Sequence, residues 1–99
     1  MTDPTPVAPL DLLAKMIKGE VPPPPVARLV GFRLVEVGRE RAVFEMDADE
    51  RHANPMGTLH GGIVCDLADA ALGTAFATTL EAGQSYTTLE LSINFLKPV

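Results

Sequence analysis

Residues 51–80, RHANPMGTLHGGIVCDLADAALGTAFATTL, decide how this chain is built. A polar, turn-rich stretch runs through Asn54-Pro55 and Gly57 into His60-Gly61-Gly62, and the pattern then changes at once to that of a helix. The glycine pair lets a ligand approach the backbone closely, and a helix start leaves N–H groups without intrahelical partners. Those donors, with the positive end of the helix dipole behind them, suit a carbonyl oxygen that gains negative charge. Asp69 follows about two turns into the helix, where a carboxylate could act on water or on carbon.

The helix is expected over residues 61–80, with Gly83 closing its exit. At about 100° per residue, Ile63, Val64, Leu67, Ala68, Ala71 and Ala75 share one face, which is the face expected to meet a sheet. Asp69 lies on another flank, in the stripe Cys65, Asp69, Gly73, Phe76 and Leu80. A flank turned to solvent is ordinarily charged, whereas this one holds one carboxylate among small and apolar side chains. That pattern suits a helix whose second face also meets something, such as a partner subunit or an acyl chain. Asp66 sits one turn earlier and further toward solvent, where the dipole alone favours an aspartate.

Outward from the helix, residues 87–95 alternate strictly. Leu89, Leu91, Ile93 and Phe95 take one face and Glu90, Ser92 and Asn94 the other, so a strand is expected. Upstream, residues 32–37 and 42–46 form an expected hairpin across Gly38-Arg39-Glu40. Residues 1–9 are a Pro-rich lead. Residues 10–18, LDLLAKMIK, spell a short amphipathic helix with Leu12, Leu13, Met16 and Ile17 on one side and Gly19 as its stop. It is too short and too weakly basic for a bilayer and is expected to pack on its own domain. The proline run 22–25 is a stiff polyproline II connector. Residues 1–25 thus form a lead, short helix and connector, and residues 26–99 one domain.

A chain of 99 residues, 46% hydrophobic, has room for one small core. Its net charge of −5 argues against nucleic acid, which wants a basic face. A single cysteine, Cys65, excludes an internal disulfide and fits a reducing compartment. The start has no basic or apolar leader, and no apolar run is long enough to span a bilayer, so the expected location is the cytoplasm. Two histidines and one cysteine form no metal-ligand spacing, and Cys65 has no evident base partner.

The combination N-P-x-G-x-x-H-G-G over residues 54–62, L-A-D over 67–69 and T-x-E-L-x-x-N-F-L-x-P over 88–98 closely resembles the hotdog-fold acyl-CoA thioesterases of the phenylacetate-degradation (PaaI-like) type. The resemblance begins near Gly19-Glu20-Val21 and covers most of the chain. It implies an α+β fold with a long central helix wrapped by an antiparallel sheet. The family continues with further strands. Three of them would need roughly 30–40 more residues, so this chain is expected to be the first two-thirds of a domain, its last strands missing and its own activity slight.

The implied activity is hydrolysis of acyl- or aryl-CoA thioesters to acid and CoA, with CoA entering as part of the substrate and no separate cofactor. Asp69 matches the family's acidic position and would serve as nucleophile or general base; its rival is an ordinary solvated helix carboxylate. Gly61 and Gly62 would donate to the oxyanion. Asn54 would stand beside the thioester, or simply form an Asx turn with Pro55. His60 would brace the loop through a backbone hydrogen bond, or orient it toward the thioester. Thr88 matches a Ser or Thr that helps hold the attacking water, although its phase, opposite Leu89, asks for a bulge or for Thr87 instead. Relatives build the site across a dimer interface, so a homodimer or homotetramer is expected. The chief alternative is a hotdog module that binds acyl-CoA without cleaving it, and for such a sensor Asp69 would be superfluous. A hotdog dehydratase would pair a catalytic His with an acid in an arrangement this sequence lacks.

Overall fold

A computed structural model describes residues 7–99, so most of the expected N-terminal lead lies outside the described residues. Helix α1 spans Pro9–Ile17. Gly19 takes φ 80°, which lets the Glu20 N–H reach Lys15 O (3.0 Å) and the Gly19 N–H reach Met16 O (3.1 Å). This is a Schellman end, the reason glycine stops the helix there.

The proline run is not connector throughout. Pro25 opens a second helix, α2 (Pro25–Val30), where its missing N–H and fixed φ suit the first helical position. Gly31, at φ 97°, caps it with an N–H bond to Ala27 O (2.8 Å).

Strands β1 (Phe32–Gly38) and β2 (Arg41–Met46) pair antiparallel, from Phe32↔Met46 to Gly38↔Arg41, with a bulge between Leu34 and Glu36. The hairpin turn closes through Glu40 at φ 62°. Its N–H donates to Thr78 Oγ1 (2.7 Å), which ties the hairpin tip to the far end of the long helix.

That helix, α3, spans Gly61–Ala77 and crosses the hairpin. It ends three residues before the expected Leu80. The hydroxyls of Thr78 and Thr79 turn back on Ala75 O and Phe76 O (2.7 Å each) and take up carbonyls of its last turn. The core lies between α2, the hairpin and α3. Ala27, Val30 and Phe32 are buried, and Phe44, Met46, Ile63, Leu67 and Ala70 pack around them. Phe32 and Phe44 meet edge to face, with centroids 5.7 Å apart. The hairpin therefore meets the stripe Ile63, Leu67, Ala70, rotated from the expected face that held Ala71 and Ala75.

The strand expected over 87–95 does not form among the described residues, where the sheet has two strands. The segment lies along a different flank of α3 from the hairpin, with no strand in reach for a ladder. It runs antiparallel to the helix. Tyr86 sits on Gly73, Thr88 reaches Asp69, and the Phe95 ring covers Gly61. No helix of the described residues is long and apolar enough to cross a membrane.

Candidate active site

The loop ahead of α3 is wired by its own polar side chains. Asp49 caps the short 3-10 turn Glu50–His52 and accepts from the Arg51 N–H (2.9 Å) and guanidinium (2.8 Å). Those bonds hold the Asp49 carboxyl down at about 2. His52 is buried. Its Nδ1 accepts the Asp49 N–H (3.0 Å), so the ring proton is on Nε2, which donates to Val30 O (2.6 Å). The histidine staples the loop to the end of α2.

Asn54 is spent largely on the same loop. Its Oδ1 accepts from Met56 N–H (2.9 Å) and Thr58 N–H (3.1 Å), and its Nδ2 donates to Thr58 Oγ1 (2.8 Å). This is the Asx turn, extended by one residue pair, with a single amide N–H left over.

His60 is the N-cap of α3, and its Nδ1 accepts the Gly62 N–H at 2.8 Å. The expected brace is therefore present. It corrects the pairing of Gly61 and Gly62 as two free donors, because the Gly62 N–H is engaged by the histidine. The Gly61 N–H has no hydrogen bond among the described residues. The Phe95 ring lies so close that a Cβ on Gly61 would come within 3.1 Å of Phe95 Cζ.

Asp69 is half-buried and accepts a hydrogen bond from Thr88 Oγ1 at 2.8 Å. No bulge is needed, because the segment carrying Thr88 is not held to the phase of a ladder. Tyr86 completes the group. Its ring meets Phe76 edge to face at 5.7 Å and lies over Gly73, whose absent Cβ leaves the room. Burial, and then the charge of Asp69, push its phenol pKa up. Sequence patterning did not single out Tyr86; the one signal available was that it is the only tyrosine, near the start of the alternating segment.

The expected residues divide among three clefts. The largest, about 700 Å³, is mainly apolar; α1, the prolines, Phe32, Leu34 and Phe44 line it, and Asp69, Ala70 and Tyr86 form a wall. His60 and Gly62 line a second cleft of about 430 Å³ with His52 and Asp66, and Gly61 and Asn54 a third of about 390 Å³ with Phe95. Along the helix, Gly62 and Asp69 stand about 10 Å apart at 1.5 Å per residue. One chain therefore does not present the Gly61 N–H, a further residue away, and the carboxylate to a single carbonyl. Among the described residues no three His, Cys, Asp or Glu side chains cluster as metal ligands.

Residues 56–99 match the Thioesterase superfamily. The chain is 34% identical over 65 residues to acyl-coenzyme A thioesterase 13 of Mus musculus, covering 66% of this chain and 46% of that protein. It is 31% identical over 67 residues to 1,4-dihydroxy-2-naphthoyl-CoA hydrolase of Listeria monocytogenes, covering 68% and 54%. The crystal structure of a phenylacetic acid degradation-related protein from Ralstonia eutropha JMP134 matches with a TM-score of 0.76 at 31% identity, over 87% of this chain and 67% of that one. The chain spans about half the length of the curated relatives it matches. Its architecture is the α+β hotdog fold. The chain belongs to the thioesterase superfamily.

Proposed function

We propose that the protein hydrolyses acyl- or aryl-CoA thioesters to the free acid and CoA. The observation that carries this is Asp69, held by Thr88 at the wall of an apolar cleft. The Gly61 N–H at the start of α3 supplies the oxyanion donor, and one such donor is typically worth about 2.7–4 kcal/mol in the transition state. Asp69 either takes a proton from water as the water oxygen bonds to the carbonyl carbon, or itself forms that bond. In the first route the tetrahedral intermediate collapses to the acid with loss of the CoA thiolate, which takes up the proton held by Asp69. In the second it collapses to an acyl anhydride on Asp69, which water then hydrolyses to the acid and the free carboxylate, one proton going to the thiolate. The reaction needs no cofactor beyond the CoA of the substrate, and the cytoplasm, where CoA esters are made and used, is its proposed place.

Donor and carboxylate are too far apart in one chain, so the loop of one subunit serves Asp69 of another, in a dimer or a dimer of dimers. Light scattering of the complete protein should show at least a dimer; an active monomer would sink the shared site. The reaction itself is tested by release of free thiol from a panel of CoA esters, which a binding module would not give.

Thr88 orients the carboxylate. Thr88→Val keeps the shape and removes the hydroxyl, and should lower kcat about tenfold, the weight of one hydrogen bond to a charged group. Thr88→Ser should retain most of the rate. Equal losses in both would mean that the methyl group's packing matters rather than the hydroxyl.

A further inference from the structure

We propose that α1 measures the acyl group: Leu13, Met16 and Ile17 receive the apolar end of a thioester whose carbonyl lies at Asp69. This inference rests on Asp69 as the reacting carboxylate. The three side chains recur at helical spacing and line the same cleft as Asp69 and Tyr86. None of them is buried by the protein's own packing. Leu13 and Met16 are half-buried and Ile17 is exposed, so the stripe keeps apolar surface toward the cleft that a ligand could cover. At about 700 Å³ the space is in the range of small-molecule sites, large enough for a medium-length alkyl or an aryl group.

The charges favour the same occupant. Arg28, exposed and lining the cleft, forms no ion pair among the described residues, which suits the phosphates of a CoA ester. A neutral thioester carbonyl can stand beside Asp69, whereas the carboxylate of a free fatty acid would be repelled there.

The helix is also free to adapt. Among the described residues no hydrogen bond or ion pair joins α1 to the hairpin or to α3. Its position depends on apolar contact alone, so changes in Leu13 or Met16 alter the cleft without breaking polar links.

The test uses S-ethyl-CoA and S-octyl-CoA, thioethers that cannot be hydrolysed, titrated into the complete protein by calorimetry. The octyl compound should bind more tightly. Met16→Trp fills the cleft and should weaken the octyl compound about tenfold while leaving the ethyl one within about twofold, as expected when a few methylenes lose their burial. The retained ethyl affinity shows that the variant is folded. Lys15→Ala, on the same helix but outside the cleft, should leave both unchanged. Equal affinity of the two thioethers, no binding of either, or equal weakening of both by Met16→Trp would overturn the proposal. Hydrolysis fails separately, by the absence of thiol release from every CoA ester, so the two ideas stand or fall on different measurements.

Discussion

Asp69→Ala should lower kcat by about two orders of magnitude or more, the usual loss when a general base is removed. KM should change little, because the carboxylate acts on the water or the carbon in the transition state rather than on the bound ester. The fold should survive. Alanine favours the helix, and the hairpin packs against Ile63, Leu67 and Ala70 rather than against Asp69. Asp66→Ala is the matched control: one turn earlier, the same change of charge, an exposed side chain, and little expected loss. Steady-state thiol release by both variants decides the matter. Activity lost in Asp66→Ala and kept in Asp69→Ala would move the assignment to Asp66. If neither mattered, a helix carboxylate would not be the hydrolytic group.

His52→Ala should be the most destabilising single change in the loop, by about 2–4 kcal/mol. The ring is buried and uses both nitrogens, one for the Asp49 N–H and one for Val30 O. Its removal leaves a donor and an acceptor without partners and opens a void between α2 and the loop. Urea unfolding of the complete protein should show the midpoint fall with the slope unchanged. Thiol release by the fraction still folded should stay close to normal, because the histidine holds the scaffold and touches no expected substrate atom. A midpoint equal to that of the parent would mean that the staple contributes nothing.

What could be read from the sequence was local. The switch from turn residues to helix at Gly61, the glycine stop of α1 and the hairpin all depend on neighbouring residues, and they are present. What failed depended on partners far along the chain. Alternation in residues 87–95 describes a strand only when another strand pairs with it, and here that segment lies against α3. A proline followed by Val-Ala-Arg-Leu-Val and a glycine spells a short helix as readily as the end of a connector, and Pro25 opens α2. The face of α3 packed on the core differs from the expected one by a fraction of a turn, because Ala70, Ala71 and Ala75 are too alike for composition to choose among them.

At the site, the His60 brace was legible in the motif. The engagement of the Gly62 N–H was not, because it depends on the rotamer of His60. The bulge that a strand phase asks of Thr88 is not needed, because the segment carrying Thr88 is not paired in a ladder. Tyr86 had no motif to mark it.

Thr78 makes the cleft unevenly stiff. Its hydroxyl accepts from Glu40 at the hairpin tip and donates to Ala75 O, so floor and wall are pinned to each other at one end by directional bonds. Across the cleft, α1 rests on apolar contact, which tolerates sliding. Thermal motion should therefore widen the cavity on one side only, like a door hung on a fixed jamb. An incoming chain would displace α1 while Asp69 and the hairpin kept their spacing, so the reacting geometry is insulated from the size of the group being admitted.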